Sequence, residues 1–256
     1  HVIDIIYQGS KKCQTMQYKK RILFDAHPIL NNLTGVGYYT ERLVASLAKQ
    51  HPDIEFVGYY FNFLGRKQLS PSLRADNISY SQIRHFPGFF LPFLGRRLGI
   101  RLPIELFVPG KFDLIIYPNF VSYPSLRRTP SAVVVHDLCF FDIPEYVSRK
   151  NQQFLSRLTP ICVRQASFVL TVSEFTKHRI TELFHTPEEK ILVTPIPPAE
   201  QENTTKTSPQ NFLEMGIRNN SYILFVGTLE PRKNITTLVE AYSRMPEQIT
   251  QSYPLV

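Results

Sequence analysis

Apolar and polar positions fall in blocks along the chain, and the period changes from block to block. Short continuous apolar runs predict buried strands at Arg21–His27, Ile54–Tyr60, Leu114–Tyr117, Ala132–Val135, Phe168–Val172 and Ile191–Thr194. Between them, apolar residues recur at helical spacing. Leu43, Val44, Leu47 and Ala48 share a face, and further helices are predicted near Lys150–Gln165 and Ser173–Phe184. An Asn/Gly-rich loop, Pro28–Gly37, separates the first strand from its helix. Strands alternating with crossover helices imply a parallel sheet, so the fold class is α/β, with a Rossmann-like N-terminal domain over residues 16–197.

The pattern then breaks. Residues 198–220 are polar, with Pro198, Glu200, Glu202, Asn203 and Pro209, and end in a short helical stretch around Phe212–Met215; they read as an interdomain connection. In 221–256 the run Tyr222–Val226 predicts a strand buried on both faces, Gly227 a tight exit, and Asn234 the N-cap of a helix whose apolar face is Ile235, Leu238, Val239 and Tyr242. The tail Gln251–Val256 reads as the onset of a second strand. This second domain is expected to be incomplete. A segment below ~40 residues rarely folds alone, so it must pack on the first domain or stay mobile.

Three stretches carry candidate chemistry. In Phe225-Val-Gly-Thr-Leu-Glu-Pro-Arg-Lys-Asn234 a strand runs into a Gly turn and a helix start. Free backbone N–H groups and the positive end of the helix dipole would face the same loop as Arg232 and Lys233, which suits a phosphate. The same residues would equally make a solvated turn. In Thr34-Gly-Val-Gly-Tyr-Tyr-Thr40, Gly35 and Gly37 let a ligand approach the backbone, or simply satisfy turn geometry; Thr40 stands where a dinucleotide fingerprint needs its third Gly. In Val133-Val-Val-His-Asp-Leu138 the strand ends in His136 and Asp137, at the edge where open parallel sheets bind ligands. The pair could exchange protons or bind sugar hydroxyls; alternatively, the His bonds to backbone and the Asp caps the next turn.

The stretch Phe225–Asn234 closely resembles the start of the C-terminal half of glycosyltransferase family 4, the retaining nucleotide-sugar transferases of the two-Rossmann-domain, or GT-B, fold. Residues 221–256 would then supply the first strand and helix of its donor-side domain. The resemblance implies that Lys233 contacts the donor diphosphate with Arg232 as second charge, because Thr228 follows Gly227 where many members carry Arg. It implies that Gly35 and Gly37 line the cleft near the donor phosphates. It also places His136, followed by Pro144-Glu145, beside the transferred sugar, with Asp137 the weaker partner. Thr171-Val-Ser-Glu-Phe-Thr176 resembles the family too, with Ser173 read as an N-cap. The implied activity is transfer of a hexose, mannose or similar, from a nucleotide diphosphate-sugar to a glycan or lipid-linked acceptor in surface-polysaccharide assembly. No metal, no further cofactor and no nucleic-acid partner are implied, the departing diphosphate acting as base. The family's paired-glutamate motif is expected beyond Val256, so the alternative is a truncated, inactive remnant that binds only acceptor or a partner.

Composition constrains this without producing it. The 256 residues carry a formal charge of +8, which favours an anionic partner without choosing one. Cys13, Cys139 and Cys162 are widely spaced, without a Cys-x-x-Cys pair, and fit a reducing compartment; the expected location is cytoplasmic. The chain begins with His1 and is polar over Gln8–Lys20, so translation is expected to start at Met16. No Walker loop, nucleophile elbow or H-E-x-x-H pair occurs. The segment His85–Leu102 mixes large apolar residues with Arg96, Arg97 and Arg101 and offers a contact with an anionic membrane at its inner face, or else a core-packed helix with a basic edge.

Overall fold

The structure, a computed structural model, describes residues 19–31, 33–69, 73, 75–88, 90–98, 100–195, 217–218, 221–227 and 229–256. The expectations for Met16, for 198–216 with the short helix at Phe212–Met215, and for Thr228 fall outside those residues. The chain divides into two compact units: His1–Asp142 with Arg149–Pro197, and Ile143–Ser148 with Pro198–Val256.

The first unit is built on one seven-stranded, all-parallel sheet: β1 (Arg21–Asp25), β2 (Glu55–Phe61), β3 (Ile78–Ile83), β4 (Leu114–Tyr117), β5 (Ser131–Val135), β6 (Phe168–Thr171) and β7 (Ile191–Val193). Its order is β3-β2-β1-β4-β5-β6-β7. The chain winds outward from β1 to β3, then returns to lay β4 on the other side of β1, so the winding reverses between β1 and β4. Helices α1 (Gly35–Gln50), α2 (Phe90–Arg97), α3 (Cys139–Asp142), α4 (Arg149–Gln165) and α5 (Glu174–Phe184) accompany it.

The apolar runs are strands because both their faces are covered. Ile22, Leu23 and Phe24 are fully buried, as are Ala132–Val135. Ile22 and Phe24 pack with Phe56, Leu114 and Ile116 against Val44, Leu47 and Ala48 of α1, the apolar face read from the spacing. β3 is a strand that the pattern did not announce. It lies at the sheet edge, and Ser79, Ser81 and Gln82 break its apolar run.

The second unit holds a 3₁₀ turn at Pro144–Tyr146, another at Pro231–Lys233, and the helices α6 (Ile235–Ser243) and α7 (Glu247–Ser252). Here the structure corrects the expectation at Tyr222–Val226. The run forms an isolated parallel pairing of Ile223 with Leu255, with Ile223 N–H donating to Pro254 O at 2.9 Å and Phe225 N–H to Val256 O at 2.8 Å. It is not buried on both faces: Leu224 is 60% and Val226 80% exposed. One neighbouring strand cannot cover two faces. Tyr242 closes this unit locally, its hydroxyl lying 3.0 Å from Thr250 O and 3.1 Å from Tyr253 O.

Candidate functional site

The first unit gathers polar side chains at the carboxyl ends of its strands. β1 ends in Asp25, whose Oδ1 accepts from the His27 backbone N–H at 2.9 Å and lies 2.5 Å from His27 Nδ1. His27 Nε2 lies 3.0 Å from the Phe61 N–H. An amide can only donate, so Nε2 is the acceptor and the imidazole proton sits on Nδ1, facing the carboxylate. Both ring nitrogens are therefore committed, and the ring stacks on Phe61 at 5.5 Å. This pair ties the ends of β1 and β2 together. Its only sequence signal, Asp25-Ala-His27 at a strand end, has the same form as the His136-Asp137 signal.

Gly35 and Gly37 do not sit in a loop. They occupy the first turn of α1, behind the extended N-cap Thr34. Glycine is a poor helix former, so the pattern set the start too late; packing decides otherwise. A Cβ on Gly37 would lie 2.5 Å from Pro28 O, so this position is closed to any side chain. A Cβ on Gly35 would meet nothing within 4 Å. Thr34 makes no side-chain cap and the first turn carries no acidic residue. Among the described residues, neither a side-chain cap nor a first-turn carboxylate meets the positive end of this 16-residue helix, about half a unit charge.

Two residues on, the same helix carries Tyr39, whose ring meets His136 edge-on at 5.0 Å. The structure thereby joins two motifs that the sequence only suggested separately. His136 Nε2 donates to Pro118 O at 2.8 Å, which leaves the lone pair on Nδ1. Burial holds its pKa below the ordinary 6.5, against the opposing pull of the Pro118 carbonyl and the Asp137 charge. His136 is neutral at pH 7, with Nδ1 an acceptor. The Phe120 ring also meets the imidazole edge-on, at 5.6 Å, from a left-handed backbone, φ 55°, a strained conformation for a bulky residue. The Tyr39 hydroxyl lies 2.5 Å from Thr194 Oγ1 at the end of β7, and burial raises its pKa to about 12.

Asp137 turns the other way. Its Oδ1 accepts from the Cys139 N–H at 3.1 Å, at the start of α3. His136 and Asp137 thus make separate contacts, to the Pro118 carbonyl and the Cys139 amide. Ser173 caps α5 as its place suggests, accepting from Thr176 N–H at 3.2 Å.

In the second unit, Pro231–Lys233 form the 3₁₀ turn ahead of α6. Arg232 Nε donates to Glu230 Oε2 at 2.7 Å, and Lys233 is exposed. Gly227 takes no left-handed turn; a Cβ there would contact the Phe225 ring at 3.2 Å. Asn234 stands at the N-cap position, yet its backbone is left-handed (φ 50°, ψ 40°) and its side chain caps no amide. Its Oδ1 accepts instead from the Thr237 hydroxyl at 2.8 Å. The cap expected there is replaced by a backbone kink.

The sequence profile of Glycosyltransferase Family 4 matches residues 33–197, which hold the α1 start and the His136 strand end. The chain belongs to that family. This family 4 chain is 29% identical over 249 residues to O-antigen chain mannosyltransferase B of Escherichia coli, covering 92% of the chain and 63% of that protein. It therefore spans less than two thirds of the length of the relative that it matches. Two solved structures of the wall teichoic acid polymerase TagF superpose with TM-scores of 0.40 and 0.43 at 9% and 11% identity. They cover 82% and 93% of this chain, and 50% and 54% of that protein.

Proposed function

We propose that this family 4 chain is the acceptor-side domain, with the first strand and helix of the donor-side domain, of a retaining hexosyltransferase. It moves a mannose-like hexose from a nucleotide diphosphate-sugar to a glycan or lipid-linked acceptor in surface-polysaccharide assembly. The observation that carries this is the 29% identity to the O-antigen mannosyltransferase, which runs over 92% of the chain.

The site chemistry supports it. The start of α1 beside Gly35 suits a phosphate oxygen, since amide donors and dipole act together. His136, neutral and with Nδ1 unprotonated, suits a hydrogen bond from a sugar hydroxyl. Asp137 positions the strand end through the Cys139 amide. Gly37 keeps the helix start closed against Pro28. In the second unit Lys233 and Arg232, behind Gly227 and Thr228, are the cations for the donor diphosphate, which needs no metal and serves as the base. The location proposed is cytoplasmic, peripheral at the membrane face. Among the described residues no helix is long and apolar enough to cross a membrane. Phe90, Leu98 and Ile100 are exposed beside Arg97, whereas Arg101, expected at the lipid, is drawn inward to Ser122 O at 2.6 Å and Gln165 at 3.0 Å.

The test is transfer of radiolabelled mannose from its nucleotide diphosphate to a lipid-linked glycan by the chain joined to a complete donor-side domain, with the anomeric configuration read by NMR. The expected product keeps the donor's configuration, and His136→Ala abolishes its formation. The second reading, an inactive remnant, draws on the exposed Leu224 and Val226 of the donor-side strand. Calorimetry with nucleotide-sugars separates the two: saturable donor binding sinks the remnant, and failure of both binding and transfer sinks the enzyme.

A further inference from the structure

The opposite edge of the same sheet holds a second concentration of charge that the transfer reaction does not use. Lys111 and Phe112 precede β4, and Arg127, Arg128 and Thr129 precede β5, so these segments meet at the amino ends of two adjacent parallel strands. A cavity of about 360 Å³ lies between them, lined by these residues and Asp113. A five-residue strand separates this edge from His136, about 15 Å at the usual rise.

The loop that carries the arginines is tied down. The Glu105 carboxylate accepts from the Ser125 hydroxyl and, at 3.2 Å, from the Leu126 N–H, and Ser125 Oγ accepts from the Thr129 N–H at 3.0 Å. The Arg127 guanidinium donates to Gly110 O. Arg128 has a left-handed backbone, φ 54°. Such a conformation costs a non-glycine residue about 1 kcal/mol or more and persists where surroundings over-determine it. Asp113, the acid in the cavity wall, already accepts from the Arg21 N–H at 2.8 Å. Three exposed cations thus line one cavity with a single carboxylate, Asp113, which is already engaged.

We propose that this cavity is an anion site that takes a phosphate group, read by the guanidinium forks of Arg127 and Arg128 and the point charge of Lys111. Arg forks match phosphate oxygens in pairs, and Lys adds charge without geometry. The phosphate is either on a soluble phosphorylated molecule or on a lipid headgroup.

The test uses the full chain carrying Arg232→Ala and Lys233→Ala, which removes the cations proposed for the donor diphosphate, and inorganic pyrophosphate, by calorimetry and thermal melting at low salt. Saturable binding that raises the melting temperature is expected, because a ligand of the folded state stabilises it. Arg127→Ala with Arg128→Ala weakens that binding at least tenfold. Arg128→Gly alone removes a cation and relieves the strained backbone, so it weakens binding while the unliganded chain melts no lower. Gly35→Asp, which blocks the α1 start with a carboxylate, leaves this binding intact. Competition by anionic, but not neutral, phospholipid vesicles assigns the phosphate to a headgroup; lack of competition assigns it to a soluble molecule. Pyrophosphate binding that survives the arginine variants, is lost in Gly35→Asp, or is absent overturns the site. Mannose transfer stands or falls separately, on His136→Ala.

Discussion

Two apolar runs in this chain look alike in sequence and fare differently in the fold. Ala132–Val135 is fully buried, flanked by β4 and β6. Tyr222–Val226 pairs on one side with the Leu255 strand and leaves Leu224 and Val226 open to solvent. The pattern of a run states what a strand needs in order to be buried; the neighbours decide whether it is. The same contrast holds at the helix starts. Ser173 caps α5 with a side-chain bond, whereas Asn234 occupies the equivalent place ahead of α6 in a left-handed conformation without one.

The contrast can be broken most directly by charge. Val134→Asp puts an unpaired carboxylate at a fully buried position and should cost about 4 kcal/mol or more, enough to unfold the first unit. Val226→Asp, at a position 80% exposed, should change stability by less than about 0.5 kcal/mol. Urea denaturation reads both, and equal losses would erase the distinction. At the start of α1, Gly37→Ala forces a Cβ to 2.5 Å from Pro28 O and should cost about 2 kcal/mol, while Gly35→Ala, with open space, should be neutral or gain up to about 1 kcal/mol. Thermal melts of the two variants must move apart.

The caps give the next effect. Ser173→Ala should lose about 1 kcal/mol with its amide bond, whereas Asn234→Gly should gain a few tenths, since glycine adopts the left-handed backbone without strain. The smallest effect is titration of His136. Its folded pKa lies below the ordinary 6.5, so the unfolded chain binds the proton first as pH falls. Its contribution is therefore complete above pH 6.5 and declines below it, with a slope under about 1.4 kcal/mol per pH unit. His136→Gln, which can still donate to Pro118 O, should flatten that slope in denaturation curves taken across the window.

What the sequence disclosed, and what it withheld, follows from the range of the interaction concerned. The central strands were legible because burial on two faces leaves an unbroken apolar run, as in Val133–Val135. β3 was not, because an edge strand tolerates Ser79, Ser81 and Gln82. The start of α1 depends on the Pro28 carbonyl lying against Gly37, which no local propensity encodes. At the candidate site, His136 and Gly35 are singled out in the sequence by residue type, but Tyr39 and Phe120, whose rings meet the imidazole edge-on, read as ordinary apolar positions. The Asp25–His27 pair needs the β1–β2 register before the Phe61 amide comes within reach.

That register has a chemical consequence. Among the imidazoles at the carboxyl ends of the strands, His27 has its lone pair occupied by an amide, whereas no described residue bonds His136 Nδ1. An acylating electrophile requires an unoccupied nitrogen lone pair. A carbonate reagent should therefore label His136 and pass over His27 until β1 and β2 come apart, making His27 a reporter of strand separation rather than of catalysis.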